Sequence, residues 1–285
     1  MNKKFRTTTL TVLAAIMLTI TSCGTAGPEN GIGLQLYSVR EAMKEDPVGT
    51  IEKVGAIGYD FVESAGYNDG KIYGMEPLEF KALVEKNGMV YLGAHSGQAI
   101  PDSGSWESLM PWWDECIATH KAAGAEYIVQ PFMRSSGYAS LEGLAEYCAY
   151  FNAVGEKCNA AGIRFGYHNH AKEFQELEGE VIYDYMLQHT DPEKVMFQLD
   201  IYWIYEGGAD PMEYFEAYPG RFVSFHIKDE KELGESGEID FMPVLKQANQ
   251  AGAKYHVVEV ERYNHDPLVS VEKSFEYLQE IGFVQ

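Results

Sequence analysis

Eight times along this chain a short run of β-branched or aromatic residues is followed by a longer amphipathic stretch, and no other feature restricts the fold as much. The short runs are 32–37, 59–63, 89–94, 126–130, 163–168, 195–200, 222–226 and 255–259. The longer stretches are 47–57, 77–87, 106–123, 140–161, 181–189, 211–218, 241–251 and 267–281. Short apolar runs bounded by turn residues read as strands, and the amphipathic stretches read as helices. Gly58, Gly88, Gly124, Gly162 and Gly252 stand just before the next strand, where a helix C-cap is expected. Strict alternation implies parallel strands joined by right-handed crossovers. Eight units predict an α/β chain closed into a single (β/α)8 TIM barrel, since an open doubly wound sheet usually has fewer strands.

The N-terminus reads differently. Lys3, Lys4 and Arg6 precede an apolar run over 10–20, followed by Thr21-Ser22-Cys23-Gly24. This pattern predicts a signal peptide over 1–22, and the run is shorter than the roughly 20 residues of a spanning helix. Ile20-Thr21-Ser22-Cys23 resembles the lipobox of bacterial lipoproteins. Cys23 is then the lipidated mature N-terminus, 23–30 a tether and 31–285 the barrel. The expected product is an exported lipoprotein on the periplasmic side or cell surface, attached to the membrane only through its lipid. A plain secreted protein is the competing reading.

Loss of the three basic residues before Cys23 takes the formal charge from −21 to −24. A surface this acidic repels phosphate backbones, so no nucleic-acid partner is expected. Cys116, Cys148 and Cys158 show no zinc-type spacing. They read as buried thiols, with a Cys148–Cys158 bridge as the alternative.

Catalytic groups of such a barrel sit where strands end and βα loops begin. There the chain places Gln35 and Tyr37, Glu63, His95, Gln130, His168 with His170, Asp200, His226 with Lys228, and Glu259 with Glu261. A single strand-end histidine is most simply a satisfied structural group; nearly every strand delivering a polar residue to one rim is not. His168 and His170 alternate with Asn169 and so face one side. Two imidazoles and two carboxylates form a mixed nitrogen and oxygen set, suited to one divalent Mn, Co, Zn, Fe or Ni ion better than to calcium or magnesium. Flat faces of Tyr37, Tyr67, Trp112, Trp113, Tyr202 and Trp203 near the rim could pack against a sugar ring. Tyr202 and Trp203, directly after Asp200, are expected in the pocket; Trp112 and Trp113 either line it or pack on the barrel.

GLQLYSVR, FVESAGY, FGYHNH, QLDIYW, SFHIKD and VVEVE, in that order, make the chain resemble the xylose isomerase-like sugar phosphate isomerase/epimerase family of TIM barrels across essentially the whole mature chain. That superfamily includes inosose dehydratases, tagatose-type 3-epimerases, hydroxypyruvate isomerases and endonuclease IV, so the fold does not decide the reaction. The resemblance implies one divalent metal held by a Glu, Asp, His, Glu set from strands 5 to 8. Asp200, His226 and Glu259 match three of the four, with Glu261 the neighbouring alternative to Glu259. His168 stands where the first glutamate would be. That exchange keeps a ligand and removes a base, which weakens a symmetric two-base epimerisation.

The resemblance therefore implies a metal-dependent enzyme acting on a small saccharide, a keto-sugar or 3-keto-glycoside, by proton abstraction next to a carbonyl. Isomerase or epimerase and β-eliminating lyase both fit. Glu259 is the expected base, with His170, His95, Glu63 or Lys228 serving the leaving group or the oxygen that gains charge. Gln35, Tyr37, Gln130, Tyr202 and Trp203 are the expected substrate contacts. Sugar phosphates fit poorly, because an exported protein meets unphosphorylated saccharides and no phosphate-binding glycine loop is present. A non-catalytic saccharide-binding lipoprotein on the same scaffold is the alternative. An endonuclease would need a three-metal cluster and a basic groove.

Overall fold

The structure, a computed structural model, describes residues 31–284; the expected signal peptide, Cys23 and the whole expected tether lie outside the described residues. Eight parallel strands close on themselves in sequence order: β1 (Ile32–Gln35), β2 (Phe61–Ser64), β3 (Val90–His95), β4 (Tyr127–Gln130), β5 (Arg164–His168), β6 (Val195–Asp200), β7 (Phe222–Ile227) and β8 (Tyr255–Val258), with β8 paired to β1. The crossover helices are α1 (Pro47–Ile57), α2 (Pro77–Lys86), α3 (Met110–Ala123), α4 (Leu141–Ala161), α5 (Ile182–His189), α6 (Pro211–Ala217), α7 (Phe241–Gln250) and α8 (Pro267–Glu280). The predicted (β/α)8 barrel is present, with element ends within a few residues of those expected.

Local chemistry explains the boundaries. Proline occupies the first turn of α1, α2, α6 and α8, where its missing N–H costs nothing. The side chains of Asp46, Ser140 and Asp266 accept from backbone N–H groups in the first turns of α1, α4 and α8. Helices α3 and α4 end on Gly124 and Gly162 with φ of 98° and 73°, a left-handed conformation that side chains with a Cβ resist.

Two apolar layers result. Phe61, Leu92, Tyr127, Val129, Met196, Val223, Tyr255 and Val257 fill the barrel interior, while a larger cluster packs strands against helices. Gly33 and Gly93 face this interior, and a Cβ at either would run into the rings of Phe61 and Tyr127. With the lower barrel plugged, the polar residues further along the strands are confined to the C-terminal rim.

Small elements escaped the periodicity: helices Arg40–Glu45 and Ile201–Glu206, a hairpin of Tyr67–Asn68 and Lys71–Ile72 after β2, and a hairpin of Glu176–Leu177 and Glu180–Val181 after β5. Each is shorter than the windows in which helical or strand periodicity shows. The three later cysteines are buried free thiols. A Cys148–Cys158 bridge is excluded, because both sit on α4 ten residues apart, about 15 Å along the axis, beyond disulfide reach.

Candidate functional site

Strand alternation builds the site. On β6, Met196 lies in the barrel interior, so Gln198 and Asp200 face inward above it, whereas Phe197 and Leu199 face the helices. The same rule turns Gln35, Glu63, His168 and Glu259 inward. At the centre stands Gln198, a residue that strand-end reasoning passed over although it lies two positions before Asp200.

Gln198 dictates which nitrogens of its neighbours carry protons. Its Nε2 lies 2.8 Å from Glu63 Oε2 and 2.9 Å from Ser224 Oγ. A carboxylate needs a donor, so the amide NH2 faces Glu63 and Oε1 faces the imidazoles. That oxygen is 2.6 Å from His95 Nε2 and 3.2 Å from His168 Nδ1. Both nitrogens must therefore donate. His168 keeps a bare Nε2, 3.8 Å from Asp200 Oδ2.

Glu63 is buried, and its oxygens are fully engaged. Oε1 accepts from Gln35 Nε2 at 2.6 Å and His226 Nε2 at 2.8 Å, with His95 Nε2 at 3.1 Å. Burial alone would raise its pKa, but His95 and His226 outweigh it and hold the carboxyl well below the usual range. The other nitrogen of His226, Nδ1, lies 3.2 Å from Glu259 Oε2. Burial opposes charge on this ring, yet Glu259 and Glu63 lift it to about 10. Glu259 falls to about 2, because His226 overcomes its own burial. His168 is pushed down, first by burial and then by the neighbouring histidines.

The donors of His168, Asp200, His226 and Glu259 can all lie within 4.8 Å of one another. Asp200 Oδ1 accepts from Trp203 N at 2.9 Å, but buried Oδ2 has no hydrogen-bond partner. Burial, only partly offset by Lys228, pushes this carboxyl up to about 8, a shift that a cation at Oδ2 would reverse. Bare His168 Nε2, unpartnered Asp200 Oδ2 and His226 Nδ1 backed through Nε2 by Glu63 match the way metal sites orient imidazole ligands. These residues fit a divalent ion of the mixed nitrogen and oxygen type.

A cavity of about 440 Å³ opens over this cluster, bordered by His95, His168, His170, Glu259 and Glu261 on one side and by aromatic residues on the other. Tyr37 lines it as expected, and so do Tyr67 and Trp112; Phe132, which strand-end reasoning did not single out, joins them. Several expected roles are corrected. Glu63 and Gln35 stand behind the cluster and not on the cavity wall; Gln35 orients Glu63 and accepts from Tyr37 N at 3.1 Å. Gln130 points the opposite way from Val129 and donates to Phe132 O at 2.9 Å. Tyr202 lines a separate hollow with Glu206 and Arg262. Trp203 stands 5.6 Å from the His170 ring, ring centre to ring centre, without lining the cavity. Lys228 is buried with Nζ 3.0 Å from Glu261 Oε2, in ion contact without good hydrogen-bond geometry, and 5.9 Å from the rings of Tyr202 and Trp203. Glu261 therefore separates it from the cavity. Trp113 is core, whereas its neighbour Trp112 is pocket wall.

Residues 51–281 match the xylose isomerase-like TIM barrel family. A solved protein from Parabacteroides distasonis, named sugar phosphate isomerase/epimerase, is 32% identical; the alignment covers 89% of this chain and 99% of that one, with a TM-score of 0.83. Over 131 residues, 46% of this chain, there is 25% identity to the inosose dehydratase of Lacticaseibacillus casei, and the match spans 41% of that curated relative's length. The D-allulose 3-epimerase of Methylomonas sp. shares the fold at 15% identity, with 90% of this chain and 99% of that one covered and a TM-score of 0.67.

Proposed function

The chain belongs to the xylose isomerase-like TIM-barrel family, and on that premise we propose a divalent-metal-dependent carbohydrate enzyme that removes a proton beside the carbonyl of a keto-sugar or 3-keto-glycoside. The observation that carries this reading is the convergence of the donors of His168, Asp200, His226 and Glu259 within 4.8 Å of one another, with His168 and Glu259 lining the rim cavity. These four would hold the ion. Bound there, it would polarise a substrate carbonyl and its neighbouring hydroxyl and so lower the energy of the negative charge that develops on them.

The remaining chemistry belongs to the side chains. Glu259, ionised and on the cavity wall, takes the proton from the carbon next to the carbonyl. In its neutral form His95, protonated on Nε2 by the demand of Gln198 and Glu63, offers Nδ1 as an acceptor to a substrate hydroxyl. His170 lines the same cavity beside His168, ring centres 5.0 Å apart, and is placed to hand a proton to a departing or newly charged oxygen. Reprotonation at a different carbon gives isomerisation, reprotonation at the same carbon from the other face gives epimerisation, and loss of the β substituent gives a lyase. A histidine at position 168 leaves Glu259 as the only carboxylate in the four-residue set facing the cavity, an asymmetry that favours elimination. We further propose that the protein is exported and anchored through Cys23, on the strength of the charged and apolar N-terminus.

Proton NMR in deuterated water separates these outcomes. Incorporation of deuterium with rearrangement marks an isomerase or epimerase, and release of an aglycone from a 3-keto-glycoside marks a lyase. If the metal-supplemented protein exchanges no proton of either substrate class, the catalytic proposal fails and the saccharide-binding reading stands. Cys23→Ala, by releasing the protein from the membrane fraction, tests the anchor.

A further inference from the structure

The rim divides into two sectors. The four metal-type donors come from the adjacent strands β5 to β8, whereas three aromatic walls of the same cavity come from the loops after β2, β3 and β4: Tyr67, Phe132 and Trp112, the last at the start of α3. Building on the proposed function, we propose that this aromatic sector is a second-ring subsite, so that the substrate is an uncharged two-ring glycoside and not a free or phosphorylated monosaccharide.

The aromatic corner is preorganised. Tyr67 and Trp112 meet edge to face at 5.3 Å and 86°. Trp112 is braced at 5.1 Å by Trp113, which is buried and donates through Nε1 to Tyr150 Oη at 2.6 Å. Tyr67 rests on the ring of buried His120 at 5.2 Å. Phe132 remains 41% exposed beside them, an apolar face with no aromatic ring stacked on it among the described residues. Rings held this way lose little freedom when a ligand ring stacks on them. A keto ring gripped at the β5–β8 side would place its substituent over this corner.

The walls also define the charge of the ligand. Among the described residues no lysine or arginine lines the cavity, and the two carboxylates there are Glu259 and Glu261. Lys228 is held behind Glu261. On the aromatic side, away from the proposed ion, a phosphoryl group would find no compensating lysine or arginine among the described residues, whereas Asn68, Ser96 and Gln98 offer neutral hydrogen bonds suited to hydroxyls.

Calorimetric titration of the protein supplied with Mn²⁺ tests the subsite without requiring turnover. The probes are phenyl and methyl glucosides, both anomers, and glucose 6-phosphate. Phenyl glucoside is expected to bind about tenfold more tightly than methyl glucoside. Glucose 6-phosphate is expected to bind no better than the methyl compound. Trp112→Ala and, independently, Phe132→Ala should erase the phenyl preference with the circular dichroism unchanged. Equal affinity for phenyl and methyl glucosides, tighter binding of the phosphate, or binding of none of the probes overturns the subsite. Absence of proton exchange with keto-sugars, while the phenyl preference persists, overturns the catalytic reading alone.

Discussion

Glu63 Oε1 lies 2.8 Å from His226 Nε2, a contact between the second and seventh strands that leaves Nδ1 as the nitrogen directed at Glu259. A carboxylate behind a ligating imidazole raises its basicity and holds its orientation, and removing such a partner typically costs about 10- to 100-fold in metal affinity. Glu63→Gln should therefore weaken Mn²⁺ binding by that factor, measured by competition with a chelator. The far-ultraviolet circular dichroism should not change. Wild-type affinity in the variant would refute the assigned role of Glu63.

The histidine at position 168 is built into its surroundings. Gln198 Oε1 accepts from His168 Nδ1, and Gln198 cannot turn over without losing Glu63. A glutamate at 168 would oppose an amide oxygen to a carboxylate and add a third acid beside Asp200 and Glu259. His168→Glu is thus expected to lower the melting temperature by several degrees, since about 1 kcal/mol moves a chain of this size roughly 2–4 °C. It is also expected to weaken metal binding. A variant as stable as the parent, with epimerase activity gained, would show that the site tolerates either ligand.

How much of this was legible beforehand depends on the length scale of each signal. The barrel was readable because eight strand-helix units repeat the same change of period, and the plugged interior follows from alternation along each strand. Asp200, His226 and Glu259 were readable as the last inward residues of their strands. Gln198 and Ser224 were not, because nothing in a single strand distinguishes an inward glutamine or serine that orients a histidine from one that fills space. Gln35, Glu63 and Gln130 were assigned to the cavity by position at a strand end, but whether a side chain reaches the cavity or stops behind it depends on the register between strands. That register shifts at Val62/Glu63 and at Phe197/Gln198. Trp112 and Trp113 show the same limit on a helix: adjacent residues point about 100° apart, and only the packing says which one faces the cavity.

Acid sensitivity should have sources away from the metal cluster in two buried histidines, His120 and His256, both held below the usual imidazole range by burial. His120 is buried between Tyr91 Oη at 2.7 Å and Ser96 Oγ at 3.0 Å, and burial lowers its pKa to about 3. In the unfolded chain a histidine titrates near 6.5. Between those values the unfolded state binds a proton that the folded state refuses, so stability is fully present above about 6.5 and declines as pH falls toward 3. The slope approaches roughly 1.4 kcal/mol per pH unit. His120→Gln should reduce the loss of stability between pH 7 and pH 5 by about 1–2 kcal/mol, read from urea midpoints at each pH. Parallel losses in the two proteins would remove His120 from the account.

The two adjacent tryptophans should separate cleanly on truncation. Trp113 is fully buried, meets the Phe165 ring edge to face at 5.5 Å and donates to Tyr150 Oη, which in turn donates to Gln98 O at 2.9 Å. Trp113→Ala leaves a cavity between α3 and β5 and should cost about 3–5 kcal/mol. Trp113→Phe, which keeps most of the volume and loses the N–H, should cost about 1–2 kcal/mol. Trp112→Ala, on the cavity wall, should stay within about 1 kcal/mol of wild type. Urea unfolding with a common slope m would read all three as midpoint shifts. Because Gln98 lines the cavity and is held by Tyr150, Trp113→Phe should also weaken saccharide binding while Mn²⁺ affinity stays at the wild-type value. Loss of both together would mean that the tryptophan supports the whole rim and not the aromatic sector alone.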